Sequence, residues 1–286
     1  MFIYFIMIFQ SFIASGTHIV AKVVVRDVNP ATLTMMRSLL AAVGLYILAK
    51  FRGTIFKFYK QDLKNILFLS FLGIPVNQFL FLYAIKLTTP SNAALLYSTT
   101  PAMVLIISSI YGTEKIFFKR VVGIIIAFVG ILIVIFERGI DLRSDYTVGN
   151  IILFFAVIAW ALYTVKGKAM IPKYGAFKTS AATMIIGALM FIPIGFFNFI
   201  EFDFSKLTIG HWGGIFYLAF GTSIFAYLLW YYALSKIDAT KVAVFSNLQP
   251  VITTVLSVIL LGQIITPFFI IGGVIAIFGV IITQYA

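Results

Sequence analysis

The sequence predicts an all-α integral membrane protein: ten transmembrane helices in two inverted five-helix repeats, both termini cytoplasmic. Three observations lead there. The 286 residues are 62% hydrophobic and 10% charged, with a mean hydropathy of +1.09, whereas a soluble domain is about a quarter charged. The apolar residues fall in runs long enough to cross a bilayer. A proline-centred segment inside one such run, "YSTTPAMVL", returns as "FSNLQPVIT", with Pro250 149 residues after Pro101.

A helix needs about 20 apolar residues to cross the hydrocarbon core. That ruler places spans at 3–24, 31–49, 65–86, 91–112, 120–137, 148–166, 179–199, 211–234, 240–262 and 267–285. The first, opening "MFIYFIMIFQSFIASG", has no positive n-region, and its first cation is Lys22. It is expected to be an uncleaved span and not a signal peptide. Pro30, Pro90, Pro172 and Pro267 fall at span starts or in connectors, where proline costs little. Pro75, Pro101, Pro193 and Pro250 fall mid-span, where proline removes a hydrogen bond, and are expected to be flex points. No connection exceeds about fifteen residues, so chemistry must occur within the bilayer or at its faces.

Orientation follows from Lys and Arg in the connections. The second, fourth, sixth and eighth connections hold 14 cations, among them Lys57, Lys115, Lys173 and Lys241. The opposite side holds six: Lys22, Arg26, Lys86, Arg138, Arg143 and Lys206. The cation-rich side is therefore read as cytoplasmic, which places the chain in the cytoplasmic (inner) membrane. The net charge of +12 lies in short clusters between apolar spans, unlike a nucleic-acid footprint. Nucleic acid is excluded as a partner. With no cysteine there is no disulfide or thiolate chemistry.

Residues 83–134 align without a gap onto 232–283, with 12 identities in 52 positions. Tyr83-Ala84 meets Tyr232-Ala233, Pro101 meets Pro250, and Gly123 and Gly130 meet Gly272 and Gly279. Each half holds five spans, an odd number, so the second half enters the membrane from the other side. Inverted repeats with interrupted helices are the common construction of secondary transporters, whose sites lie between the halves. A duplication that serves only packing is the alternative.

The segments "NQFLFLYAIKLTTPSNAALLYSTTPAMVLIISSIYGTE" and "FGTSIFAYLLWYYALSKIDATKVAVFSNLQPVITTVLSVILLG" resemble the two EamA repeats of the drug/metabolite transporter superfamily. "NPATLTMMR" fits too, with the family's arginine at Arg37. The resemblance covers essentially the whole chain as repeats 1–140 and 147–286. It implies ten helices, a central cavity and alternating access. Members export amino acids and other metabolites. One departure stands out: Glu114 ends the fourth span, but the corresponding family glutamate of the ninth is Gln263 here.

Arg37 lies about seven residues into the second span, where an arginine costs at least about 2.5–3.5 kcal/mol. It is a cavity cation for a carboxylate, a phosphate or a gate, or else an arginine that snorkels. Ser11, Ser15, His18 and Lys22 share a face of the first span, and a polar stripe in lipid should face the bundle interior. Asn77 and Gln78 follow Pro75, where freed backbone needs partners. Tyr97, Thr100 and Asn247 flank the repeated prolines. Trp160, Tyr163, Tyr227 and Trp230 are read as aromatic walls or as helix packing. Gly123-xxx-Ala127 and Gly272-xxx-Ala276 are close-packing seams.

No acidic residue lies deep in a span, so a midplane carboxylate is absent and proton coupling would fall to His18, Glu114 or the substrate. No phosphate loop, HExxH or GxSxG motif occurs, which argues against ATP-driven transport and intramembrane hydrolysis. The expectation is a secondary or facilitative transporter of small metabolites, exporting amino acids or drug-like compounds. A lipid flippase or a membrane scaffold is the alternative. It would be a monomer in contact with membrane lipids, without catalytic residues, metal or cofactor.

Overall fold

The computed structural model describes residues 2–113, 117–136 and 144–285, with no strand among them. Ten helical elements follow the expected spans: α1 (Phe2–Val24), α2 (Pro30–Phe51), α3 (Lys60–Leu87), α4 (Pro90–Ile110), α5 (Phe118–Ile135), α6 (Asp145–Tyr174), α7 (Ala176–Ile200), α8 (Ile209–Leu234), α9 (Ala239–Leu261) and α10 (Pro267–Tyr285). The first nine are long and apolar enough to cross a membrane. Glu114, Lys115, Arg138 and Arg143 lie outside the described residues.

The connections gather on two faces. On one, Asp62 accepts from Lys173 (3.0 Å) and from the Tyr174 hydroxyl (2.7 Å), and Lys168 donates to the Ile237 carbonyl. These bonds tie the start of α3, the C-terminal end of α6 and the α8–α9 connection together. On the other, Lys22 donates to the carbonyls of Ile85, Lys86 and Thr88. It caps the C-terminal end of α3, where a cation also suits the helix dipole. His211 Nε2 donates to Asp27 Oδ2 at 3.0 Å, joining the α1–α2 connection to the start of α8.

One proline differs from expectation. Pro172 lies inside α6, which runs on to Tyr174 and is 30 residues long. Two more are better placed than their mid-span position implies. In α4 the helix stops after Tyr97 and restarts at Thr100, with Pro101 in the new first turn. In α9 a tighter 3-10 stretch, Val244–Leu248, precedes a new helix with Pro250 in its first turn. At a helix start the missing N–H has no intrahelical partner to lose.

Two further breaks have no repeated proline. Leu72–Gln78 in α3 and Tyr217–Ala226 in α8 are wound as π-helix, a form concentrated at functional sites. Shifted by 149 residues, the first falls on the end of the second. In α3 the wide turn accommodates Pro75. Pro193, in contrast, sits within regular helix in α7.

α5 and α10 pack directly on each other. Gly130 lies against the Ala276 amide and the Gly272 carbonyl; Gly279 lies against the Ala127 amide and the Gly123 carbonyl. The 149-residue shift converts one contact set into the other, and the numbering shows that the two helices run antiparallel. A side chain at either glycine would press on backbone, which cannot swing away. Gly130→Ala or Gly279→Ala should therefore destabilise the protein by about 1–3 kcal/mol, read as a lower thermal midpoint in detergent. Gly213→Ala, which meets nothing within 4 Å, should leave the midpoint unchanged.

Candidate functional site

A cavity of about 80 Å³ lies between the two halves, lined by Gln10, Thr17 and His18 of α1, Arg37 of α2, Asn77, Gln78 and Phe81 of α3, and Tyr97 of α4. The second half supplies Trp160 of α6, Thr222, Tyr227 and Trp230 of α8, and Gln249 of α9; Ala14 and Ala226 fill the gaps. On the same volume measure one water needs about 10–15 Å³, so several fit.

The helix breaks aim these side chains inward. The π turn of α3 delivers Asn77 and Gln78. Asn77 Nδ2 donates to the Tyr97 hydroxyl and to the Ala156 carbonyl, both at 2.8 Å, while its Oδ1 accepts from Tyr227 at 3.3 Å. One amide thus joins α3, α4, α6 and α8. In α8 the π turn carries Thr222, whose hydroxyl is 2.7 Å from that of Thr17, and Ser223.

Arg37 is 1% exposed. Its Nε and Nη2 donate to the Ser223 hydroxyl at 3.2 and 2.9 Å, and Ser223 in turn donates to the Leu218 carbonyl at 3.0 Å. No carboxylate pairs with it among the described residues. A buried guanidinium therefore lines the cavity with one hydroxyl for a partner and most of its five donors uncommitted.

The aromatic wall is continuous. Trp160 stands 5.1 Å from Tyr227 and 5.2 Å from Trp230, centroid to centroid. Trp230 Nε1 donates to Thr164 at 3.1 Å. His18 packs edge-on to Phe81 and Tyr97, and its Nε2 is 3.1 Å from Gln249 Oε1.

Eight of the eleven candidate cavity residues read from the sequence line the site: His18, Arg37, Asn77, Gln78, Tyr97, Trp160, Tyr227 and Trp230. Three do not. Thr100 turns back to the Tyr97 carbonyl at 2.6 Å, as Ser98 and Thr99 do to Leu95 and Leu96. Tyr163 is fully buried behind Trp160, its ring stacked on the indole and its hydroxyl 2.8 Å from Thr183. Asn247, half-buried in the 3-10 stretch, stays outside the lining. Ser11 and Ser15, expected with His18 on one polar face, bond to the carbonyls of Met7 and Ser11, and Ser11 also to Phe245 of α9.

Gln10, Thr17, Thr222 and Gln249 were missed. Gln249 had a signal, since it immediately precedes Pro250 at the repeat position of Thr100. Gln10, Ala14 and Thr17 form a stripe next to the serine face of α1.

The EamA-like transporter family matches this sequence twice, over residues 1–136 and 147–285. The chain belongs to that family. It is 32% identical to "Uncharacterized transporter YyaM" of Bacillus subtilis (strain 168) over 98% of this chain and 92% of the relative. A transporter from Archaeoglobus fulgidus is 27% identical over 94% of this chain and 92% of the relative. WAT1-related protein At2g40900 of Arabidopsis thaliana is 26% identical over 99% of this chain and 77% of its own length. A crystal structure at 17% identity superposes with a TM-score of 0.70, covering 97% of this chain and 95% of the other, which establishes the shared fold. This EamA-family chain is thus a multi-pass membrane protein whose relatives are named as transporters.

Within the family scaffold, Ser223 is the internal support of Arg37. Ser223→Ala should cost about 1.5–3 kcal/mol, the range for a hydrogen bond to a charged group, whereas Ser223→Thr keeps the hydroxyl. Thermal unfolding of the two purified variants beside the parent checks this.

Proposed function

We propose that this EamA-family protein moves small carboxylate-bearing metabolites with an apolar or planar part through the central cavity by alternating access. The observation that carries the reading is Arg37: buried, cavity-lining and, among the described residues, hydrogen-bonded to Ser223 alone. Desolvated guanidinium is stable only with acceptors around it, and a carboxylate matches its planar donor array in a bidentate manner. A cationic drug would meet a like charge with no carboxylate to offset it. The aromatic wall of Trp160, Tyr227 and Trp230 suits the remainder of such a substrate, as apolar walls with few polar anchors generally do.

Four broken helices flank the cavity, in pairs 149 residues apart. Paired discontinuous helices of this kind are where transporters bind substrate and exchange conformations. The cation-rich face is the cytoplasmic one in this reading, with both termini there, the chain in the cytoplasmic membrane and the halves inverted.

Purified protein in liposomes tests it with labelled L-phenylalanine, L-phenyllactate and phenethylamine. The two acids should show saturable flux above that of protein-free liposomes, and the amine should not. Arg37→Gln should raise the half-saturation concentration roughly 100-fold, as removal of one partner from a buried charge contact does. Flux of neither acid, or equal protein-dependent flux of the amine, would remove the proposal.

A further inference from the structure

We infer that the α1–α3 side of the cavity is a hydrogen-bond acceptor subsite, which makes the transported acid one that also carries an N–H or O–H donor. The inference rests on the carboxylate reading of Arg37 and adds what the substrate's other polar end must be.

Gln10, His18 and Gln78 are 4%, 4% and 2% exposed, and all three line the cavity. Gln10 Oε1, His18 Nδ1 and Gln78 Oε1 are buried and have no hydrogen-bond partner among the described residues. Buried side-chain acceptors are normally satisfied, so three around one cavity need an explanation. In His18, Nε2–H donates to Gln249 Oε1. A neutral ring then presents Nδ1 as a bare lone pair.

Among the described residues no donor reaches that atom. The titratable or charged groups around the His18 ring and the cavity are Tyr97 of α4, Arg37 of α2 and Tyr227 of α8. The remaining neighbours, Phe81 of α3 and Gln249 of α9, are neutral. Among the described residues no carboxylate lines the cavity, and desolvated cations without a counter-charge are costly. With Nε2–H committed to Gln249, His18 presents Nδ1 to the cavity as an acceptor.

While the cavity is open, water can satisfy these acceptors. Once a substrate displaces the water and the halves close, donors must come from the substrate. An acid with a hydroxyl, amide or ammonium group provides them, and an isosteric acid without one leaves the acceptors bare. Sites built to hydrogen-bond a substrate group discriminate strongly against the analogue that lacks it. The acceptors lie on α1 and α3 and Arg37 on α2, and both Gln78 and Arg37 reach Tyr227.

Three acids that share a phenyl ring and chain length test this by titration calorimetry on the purified protein: L-phenylalanine, L-phenyllactate and 3-phenylpropionate. At least one donor-bearing acid should bind about tenfold or more tightly than 3-phenylpropionate, the difference expected for one lost bond to a buried acceptor. Tighter binding of phenylalanine assigns the subsite to an ammonium group, and of phenyllactate to a hydroxyl. Both support it.

Gln10→Met removes an acceptor that holds no other residue in place, and Gln78→Met gives up a 3.9 Å donation to Met184 sulfur and a side-chain contact with the Tyr227 hydroxyl. Each should weaken the donor-bearing acids several-fold and leave 3-phenylpropionate within about twofold, narrowing the gap. Equal binding of all three acids by the parent overturns the inference and leaves the carboxylate reading intact. Equal weakening of all three in both variants overturns it too, since that marks a structural role. Failure of all three acids to bind removes both readings.

Discussion

In hydrocarbon, each backbone polar group that loses its helical partner costs several kcal/mol unless another is found. This bundle interrupts four of its helices, so its architecture is governed by how those interruptions are made good. The "YSTTP" break is repaired locally. Three successive hydroxyls, on Ser98, Thr99 and Thr100, each reach the carbonyl three residues back at 2.6–2.7 Å. The two π turns keep their hydrogen bonds by widening, and Asn77 and Ser223 bind backbone carbonyls from within them. Only after this repair is the chain free to present polar side chains to a cavity.

The same constraint accounts for Arg37. A guanidinium at this depth is costly, and its one hydrogen-bond partner among the described residues, Ser223, belongs to a π turn and is itself committed to Leu218. Cation, hydroxyl and loosened helix therefore form one chain of contacts. Whatever engages Arg37 from the cavity acts on the hydrogen bonding of α8, and Tyr227 and Trp230 stand directly after that turn. The aromatic wall is in this way linked to the charged anchor through covalent chain as well as through space. Asn77 provides the corresponding tie from α3 to Tyr97 and Tyr227.

Much of this was legible in the sequence, for physical reasons. Span positions follow from apolar run length, because lipid leaves the chain few alternatives, and all ten helical elements fall where hydropathy places them. Residues that are costly in lipid, such as Arg37, His18, Asn77 and Gln78, were identifiable by that cost alone. Hydroxyl residues were not. Thr100 lost its place in the cavity because a short side chain beside a broken turn finds a closer acceptor in its own backbone. Tyr163 was misassigned because helical spacing gives a side chain's face but not its layer; Trp160 stands in front of it. Each π turn rotates the C-terminal remainder of its helix by part of a turn, and in α8 no proline announces one. Thr222 was hidden for that reason.

The repeat explains why the cavity has two chemically different sides. Under the 149-residue shift Gln78 corresponds to Tyr227 and Asn77 to Ala226, and all four positions line the cavity. The scaffold thus brings equivalent positions to the centre from both halves, while side-chain identity differs between them. From the first half come the cation and most of the amides, with the imidazole. From the second come both indoles, with Gln249 and Thr222 as its polar contribution. A cavity lined by two copies of one chemistry would suit a symmetric or wholly apolar guest. This one sets a charged, hydrogen-bonding wall against an aromatic one, and a substrate with one polar and one apolar end satisfies both at once. Divergence of the lining on a retained backbone plan is enough to produce that polarity, while away from the cavity the α5–α10 seam keeps repeat-related contacts, with Gly130 and Gly279 each against backbone.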